Sequence, residues 1–165
     1  MLNYYMKKSN TKIKKAKKYL LKNEIIGIPT ETVYGLAGNA FSNKSVKKIF
    51  LLKKRPFFNP LIVHYATIKN LKKDCFINNN FIKLYKKFCP GPLTFVLIKK
   101  KNSKISKLVN NGKNTLAIRF PRNNLLIKLL RELSFPLAAP SANISTRLSP
   151  VTATDVKEEF RNKIK

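Results

Sequence analysis

Short apolar runs alternate with amphipathic helical patterns along this chain, and this alternation restricts the fold class more than any other feature. The apolar runs predict five strands, at 25–28, 61–65, within 90–100 after a turn, at 115–120 and at 136–140. The intervening patterns predict helices at 11–23, from Asn43 as N-cap to near Pro56, at 80–88, at 123–133 and from Thr152 onward. Interleaved strands and helices predict an α/β fold in which helices flank a mixed sheet.

Length and cysteine content exclude several classes of protein. A chain of 165 residues has the size of one domain. A membrane span needs about 20 apolar residues in succession, and this chain has only short apolar runs. The first ten residues lack the apolar core of a signal peptide. Cys75 and Cys89 lack CxxC spacing and His64 is the single histidine, so we expect no zinc site, no membrane contact and a reduced, cytoplasmic setting.

The chain is strongly basic, with 35 Lys and Arg residues against 7 Asp and Glu and a net charge of +28. Proteins that read phosphates and bases are usually rich in arginine, whereas most of these cations are lysines. Lys, Asn, Ile and Phe, whose codons are rich in A and T, are abundant. The charge therefore has two interpretations, a solvated surface produced by base composition or a patch that faces RNA. Under either interpretation the positive field attracts anions, including nucleotides and tRNA.

Polar residues stand at the ends of four predicted strands, where α/β folds collect their ligands. They are Thr30 and Thr32, His64, Arg119, and Ser141 with Asn143. Thr30 and Thr32 are two apart in an extended segment and should point the same way. Arg119 lies in an otherwise apolar strand and needs an anionic partner. We expect these strand ends to form one crevice that binds a small molecule, although hydroxyls can instead satisfy turn backbone and a lone histidine is usually structural.

Five sequence blocks resemble a known family in their order and spacing. The blocks are PTETVYGL, KKRPFFNPLIVH, PGPLTFVL, TLAIRFP and PSANISTRLSP, which lie between about Gly27 and Pro150. Together they are similar to the YrdC/TsaC family of threonylcarbamoyl-adenylate synthases. The resemblance implies a single YrdC-like domain over residues 1–165, with its motif-bearing core at about 25–150 and a twisted mixed sheet with a concave basic face.

The resemblance also implies an activity. Enzymes of this family condense L-threonine, bicarbonate and ATP into threonylcarbamoyl-AMP and release pyrophosphate. Downstream threonylcarbamoyl transferase proteins then modify the tRNA adenosine next to the anticodon. The carbamate oxygen itself attacks the α-phosphate, so no protein nucleophile is expected, and the rate comes from holding the reactants together and neutralising charge. Mg²⁺ is expected with ATP, held mainly by phosphates and water rather than by protein side chains.

The resemblance assigns roles to individual residues. Those implied to contact L-threonine are Thr32, His64 and Arg119. Those implied to contact ATP are Lys53, Arg55, Asn59, Thr115, Ser141, Asn143 and Ser149. Lys53 and Arg55 would also be favoured at a helix C-terminus without any ligand, and Asn59 before Pro60 fits simple turn chemistry. Thr30 and Glu31 are accessory candidates, and Glu31 is expected to orient the turn or a water-bound Mg²⁺.

The chain also departs from the family pattern. Asn39 stands where Asp is common and Thr146 where Gly is frequent. Family members usually continue beyond the position of Lys165 with a further strand, whose loss would leave an exposed sheet edge or an open site. Three rival functions are a basic RNA-binding module without this activity, carbamoyl-adenylate formation, and an inactive remnant. Proteins that form carbamoyl-adenylate are longer and carry zinc-finger-like cysteines that this sequence lacks.

Overall fold

A computed structural model describes the backbone of residues 2–165 and the side chains of residues 10–161 and 163–165. The helices are α1 (Leu2–Leu21), α2 (Asn43–Lys53), α3 (Ile68–Leu71), α4 (Asn79–Phe88), α5 (Asn124–Glu132) and α6 (Ala153–Phe160), followed by a 3₁₀ turn at Arg161–Lys163. The strands are β1 (Ile26–Ile28), β2 (Gly35–Asn39), β3 (Val63–His64), β4 (Thr94–Ile98), β5 (Thr115–Arg119) and β6 (Leu137–Ala138).

The six described strands form one mixed sheet in the order β1-β2-β6-β3-β5-β4. The β3–β5 pair is parallel, and the other pairings between these strands are antiparallel. This architecture confirms the predicted α/β fold with a mixed sheet. All five predicted strands are present, although β3 is shorter than the predicted segment 61–65 because pairing includes only Val63 and His64.

Strand β2 was not predicted, because its sequence GLAGN does not alternate and contains two glycines, which are poor strand formers. It forms because β1 and β6 pair with it on both sides. Gly38 is required there by packing: a Cβ at this position would lie 2.5 Å from the Ser45 Oγ and 2.8 Å from the Ile25 Cδ1. The missing side chain lets α2 approach the sheet closely.

Side-chain caps set the starts of several helices. The cap of α2 is Ser42 rather than the predicted Asn43, because the Ser42 hydroxyl accepts the Ser45 backbone N–H at 3.2 Å. Asn43 is instead the first helical residue, and its Oδ1 accepts a hydrogen bond from the Ser106 hydroxyl. Asn123 caps α5, and Thr152 forms a reciprocal capping box that starts α6, as the predicted boundaries require. Helix α1 begins earlier than the predicted residue 11.

Two apolar clusters cover the two faces of the sheet to different extents. One face packs against residues of α2, α4 and α6 in a large core that extends across the sheet. On the other face, α1 and α5 pack over β1, β2 and β6. Beyond β6 this second face opens: Thr115, Ala117 and Arg119 of β5 are half-buried, and Val96 of β4 is 67% exposed. The open part of the second face is where the predicted strand-end residues lie.

Within the described part of the chain, the helices are too short or too polar to cross a membrane.

Candidate functional site

A cavity of about 210 Å³ lies on the open face of the sheet, between the loop after β1 and the ends of β3, β5 and β6. Its lining includes five of the six residues that the sequence predicts to converge, namely Thr30, Thr32, His64, Arg119 and Ser141. The wall is completed by residues of the β1–β2 loop, the start of β2 and the segment after β6, including Tyr34, Gly35, Ala139 and Pro140. The sixth predicted residue, Asn143, is buried outside this lining. The predicted crevice therefore exists, while the role of each residue stays a prediction.

The sheet register places the polar side chains in one row. His64 on β3 is paired with Arg119 on β5, and Arg119 is paired with Thr94 on β4. Paired residues of neighbouring strands project from the same face of a sheet. Buried neighbours Leu116 and Ile118 of β5 project into the opposite core, which leaves Arg119 on the open face.

Arg119 is held by two partners. Its Nε and Nη2 donate to the Thr94 hydroxyl at 3.2 and 3.1 Å. Its Nη1 lies 3.8 Å from the Glu31 Oε1, and the two side chains are only 17% and 12% exposed. Thr94 was not predicted as a site residue. The signal available in the sequence was a hydroxyl at the start of the apolar run TFVLI, but the pairing of β4 with β5 cannot be read from that run.

The two threonines of the β1–β2 loop form a directed chain of hydrogen bonds. The Thr30 hydroxyl donates to the Val33 carbonyl at 2.6 Å and accepts the Thr32 backbone N–H at 3.1 Å. Since a hydroxyl has one proton, the 3.1 Å contact between the two hydroxyls must have Thr32 as donor. The Thr30 hydroxyl thus stabilises the loop by satisfying turn backbone, which was the alternative to ligand binding. The Thr32 oxygen, on an exposed side chain, keeps acceptor capacity toward the cavity.

His64 is buried in the cavity wall without a protein partner for its ring. The residue is 2% exposed, and neither ring nitrogen finds a hydrogen-bond partner among the described residues. Desolvation, with repulsion from Arg119 as the second cause, lowers the pKa of His64 to about 3. A backbone interaction with Ile62 acts in the opposite direction but falls short of a well-formed hydrogen bond. The imidazole is therefore neutral at pH 7, and its ring nitrogens lack a well-formed hydrogen bond within the described residues. Unpaired buried polar atoms are rare in native proteins and require an explanation such as a bound ligand.

Lys53 is buried against the loop after β6, and its predicted contact with ATP stays a prediction. The residue is 1% exposed, and its Nζ donates to the Ser141 and Asn143 carbonyls at 2.6 and 2.5 Å. Its own carbonyl accepts the Ser145 N–H at 2.8 Å. Burial, together with repulsion from Arg55 and against attraction to Glu159, lowers the pKa of Lys53 to about 8. Lys53 thus joins the end of α2 to the loop after β6.

Arg55 and Asn59 organise the loop between α2 and β3. The Arg55 Nε and Nη2 donate to the Asn59 and Pro60 carbonyls at 3.3 and 3.1 Å, and burial lowers the pKa of Arg55. The Asn59 backbone N–H closes a turn by donating to the Pro56 carbonyl. This geometry matches the turn chemistry expected before Pro60. It leaves the predicted ATP contacts of both residues untested.

The remaining predicted nucleotide residues lie outside the cavity lining. The Asn143 amide donates to the Ile144 and Arg147 carbonyls, and its buried Oδ1 has no partner among the described residues. Ser149 is exposed in the same loop, and Thr115 is half-buried at the far end of β5. Two residues that depart from the family pattern, Asn39 and Thr146, have defined local roles in the structure. Thr146 adopts φ 75°, which favours Gly, while the Asn39 Oδ1 accepts the Phe41 N–H and supports the turn into α2.

Among the described residues, His, Cys, Asp and Glu side chains form no group of three that could hold a metal ion. Cys75 is buried with its pKa raised to about 12, chiefly by desolvation, and is therefore an unreactive thiol at neutral pH.

The structure is an α/β domain in which the strand ends of a mixed sheet present an arginine, a neutral histidine and hydroxyls to a small cavity. Residues 18–165 match the Sua5/YciO/YrdC family model, which carries the description "Telomere recombination". The chain belongs to this family, as its motif blocks predicted.

Several curated proteins are similar to this chain. It is 41% identical over 156 residues to threonylcarbamoyl-AMP synthase of Pyrococcus abyssi, covering 93% of this chain and 45% of that protein. It is 42% identical to threonylcarbamoyl-AMP synthase of Bacillus subtilis, covering 94% and 45%. It is 36% identical to a protein named putative threonylcarbamoyl-AMP synthase of Methanocaldococcus jannaschii, covering 90% and 68%. The chain spans about half the length of the first two relatives.

Solved structures agree with the fold. P. abyssi Sua5 complexed with L-threonine superimposes with a TM-score of 0.89 at 41% identity, covering 93% of this chain and 45% of that one. Escherichia coli YciO superimposes with a TM-score of 0.81 at 21% identity, covering 92% and 74%, and supports the fold alone.

Proposed function

We propose that this protein is an L-threonylcarbamoyladenylate synthase, which converts L-threonine, bicarbonate and ATP into threonylcarbamoyl-AMP and pyrophosphate. The observation that carries the proposal is the cavity in which Arg119, an unpaired neutral His64 and Thr32 meet. The names of relatives that are 36–42% identical support it, as does the L-threonine bound to the P. abyssi structure.

The cavity offers a complementary group for each polar part of L-threonine. The Arg119 guanidinium, with its Nη1 hydrogens directed away from Thr94, is suited to the substrate carboxylate. The unused acceptor of the neutral His64 ring and the Thr32 oxygen are suited to the ammonium and hydroxyl groups. Binding would satisfy the His64 nitrogens, each of which costs about 1–3 kcal/mol when it is buried and unpaired.

The reaction needs positioning and charge more than a protein nucleophile. The ammonium group of L-threonine loses one proton to solvent, and the resulting amine condenses with bicarbonate to give a carbamate and water. A carbamate oxygen then forms a bond to the α-phosphorus of ATP, and the bond from that phosphorus to the pyrophosphate oxygen breaks. Lys53 places a positive charge under the Ser141–Asn143 backbone and holds it in position next to the cavity.

The nucleotide half of the site is part of the same proposal. Ser141 lines the cavity and would mark the junction of the two substrates, with Arg55, Asn59, Thr115, Asn143 and Ser149 on the nucleotide side. Two half-buried or buried cations, Arg55 and Lys53, give this side the positive potential that a triphosphate requires. Mg²⁺ would enter with ATP, held by phosphate oxygens and water.

Pyrophosphate release tests the activity. We expect purified protein to release pyrophosphate from ATP and Mg²⁺ only when L-threonine and bicarbonate are both present. Omission of either should return the rate to background, and Arg119→Ala should lower kcat/KM for L-threonine at least about 100-fold, the loss of a charged hydrogen-bonded contact. Release that does not depend on L-threonine in the wild type would contradict the proposal.

The product would be consumed by transferase proteins that modify tRNA, and a cytoplasmic location follows from that role. A groove between α1 and α5 is lined by Lys14, Lys17, Lys128 and Arg131, and also by Glu132, which pairs with Lys17 at 3.1 Å. The three other cations favour direct tRNA contact and keep RNA binding without catalysis as the second candidate function. Filter binding of tRNA at 50 and 200 mM salt separates the two candidates. A steeply salt-dependent affinity in a protein that releases no pyrophosphate would favour the second.

A further inference from the structure

The Glu31 carboxylate connects three parts of the site. It lies in the β1–β2 loop, next to Thr30 and Thr32. Its Oε2 accepts the backbone N–H of Arg122 at 3.0 Å, which joins this loop to the segment between β5 and α5. Its Oε1 lies 3.8 Å from the Arg119 Nη1, is fully buried, and has no hydrogen-bond partner among the described residues.

The geometry around Arg119 distinguishes the two groups that hold it. Thr94 binds Nε and Nη2 by hydrogen bonds, which fix one edge of the guanidinium. At 3.8 Å, Glu31 is close enough for charge attraction to Nη1 but too far for a hydrogen bond. Both charged side chains are largely buried, so solvent and salt screen this attraction less than in an exposed pair. The Nη1 hydrogens consequently stay available to a ligand while the guanidinium is kept from turning.

We infer that Glu31 is a positioning residue for amino-acid recognition, which directs the Arg119 guanidinium toward the substrate carboxylate. This inference rests on the proposed function, because it needs a carboxylate ligand in the cavity. A long arginine side chain loses considerable rotamer freedom when it binds an anion, and restraint before binding lowers that cost. Glu31 is therefore placed where it restrains the Arg119 guanidinium without occupying the hydrogen-bond donors of Arg119 Nη1.

Electrostatics alone predicts the opposite effect of Glu31 on ligand binding. A carboxylate next to Arg119 reduces the positive potential that the ligand meets, so Glu31 would then compete with the substrate. Positioning predicts weaker L-threonine binding when the Glu31 charge is removed, whereas competition predicts tighter binding. The sign of the change separates these outcomes.

Two substitutions separate the charge of Glu31 from its shape. Glu31→Gln keeps an oxygen for the Arg122 N–H but removes the charge, and Glu31→Asp keeps the charge in a shorter side chain. We expect calorimetric titration with L-threonine to show at least about 10-fold weaker binding for Glu31→Gln and at most about threefold weaker binding for Glu31→Asp. If the residue served only to clasp the loop through Arg122, Gln would retain affinity better than Asp.

A matched control is available in Glu24, which forms an ion pair with Lys48 at 3.1 Å and does not line the cavity. Glu24→Gln should leave L-threonine affinity within about twofold of wild type. Thermal unfolding of all variants verifies that each is folded. Wild-type protein that binds no L-threonine would defeat the proposed function itself. Wild-type protein that binds it, with Glu31→Gln equal or tighter, would overturn the role of Glu31 while leaving the proposed function standing.

Discussion

Replacing His64 by leucine should make the free protein more stable and its L-threonine binding weaker. Leucine has a similar volume and no polar atoms, so the change removes two buried ring nitrogens that have no partner among the described residues. Each unpaired polar atom costs about 1–3 kcal/mol, and an imperfect change of shape costs less than about 1.5 kcal/mol. Because the Ile62 backbone partly satisfies one of the two nitrogens, about one full penalty is removed, and the expected result is an increase of up to about 3 kcal/mol in the free energy of unfolding at pH 7.

The pH dependence of stability gives this prediction a second signature. The pKa of His64 is lowered to about 3 in the folded protein, whereas an unfolded histidine titrates near 6.5. Below about pH 6.5 the unfolded chain binds a proton that the folded protein does not. The stability of the wild type should therefore fall as pH decreases from about 6.5 toward 3, by up to about 1.4 kcal/mol per pH unit from this group. His64→Leu should lose that component.

Urea unfolding with and without L-threonine measures both properties. A ligand at about 100 times its Kd stabilises a protein by about 2.7 kcal/mol, so this increment should appear in the wild type and be largely absent in His64→Leu. The reasoning would be refuted by a variant that is destabilised by 2 kcal/mol or more. It would also be refuted by a variant whose L-threonine increment and pH dependence both equal those of the wild type.

Three further predictions concern the framework of the site. Lys53→Met should lower the free energy of unfolding, measured in urea, by about 2–5 kcal/mol, because two loop carbonyls lose their donor. Lys54→Met, at the exposed neighbouring position, serves as the control and should change the free energy of unfolding by less than about 1 kcal/mol. Ser42→Ala should cost about 1 kcal/mol by loss of the α2 cap, and an unchanged urea midpoint would contradict that assignment. Gly38→Ala should lower the free energy of unfolding by about 1–3 kcal/mol, since the new Cβ would lie 2.5 Å from the Ser45 Oγ. A Tm measured by calorimetry that equals or exceeds the wild-type value would contradict the close approach of α2 to β2.

Local chemistry in the sequence predicted most of the fold. The strands that were identified are apolar runs with clear boundaries, and Asn123 and Thr152 mark helix starts that the structure contains. Strand β2 was not predicted, because it is a strand through its pairing with neighbours on both sides rather than through its own composition. Helix α3, with four residues, is too short to give a periodic pattern.

The candidate site could be predicted at the level of which residues converge, but not at the level of what each contacts. Strand ends placed Thr32, His64 and Arg119 correctly, because pairing of strands brings their ends together. The orientation of Lys53 depends on carbonyls that lie 88 and 90 residues further along the chain. The contact between Glu31 and Arg119 depends likewise on tertiary packing, which local pattern does not encode.

Direct detection of the product tests the central claim most directly. The purified protein would be incubated with ATP, Mg²⁺, L-threonine and ¹³C-bicarbonate, and the reaction would be analysed by mass spectrometry, with Arg119→Ala in parallel. The proposed function predicts threonylcarbamoyl-AMP that carries one ¹³C atom, formed in step with pyrophosphate and strongly reduced in the variant. A folded wild-type protein that binds ATP and L-threonine yet forms no labelled adenylate would contradict it.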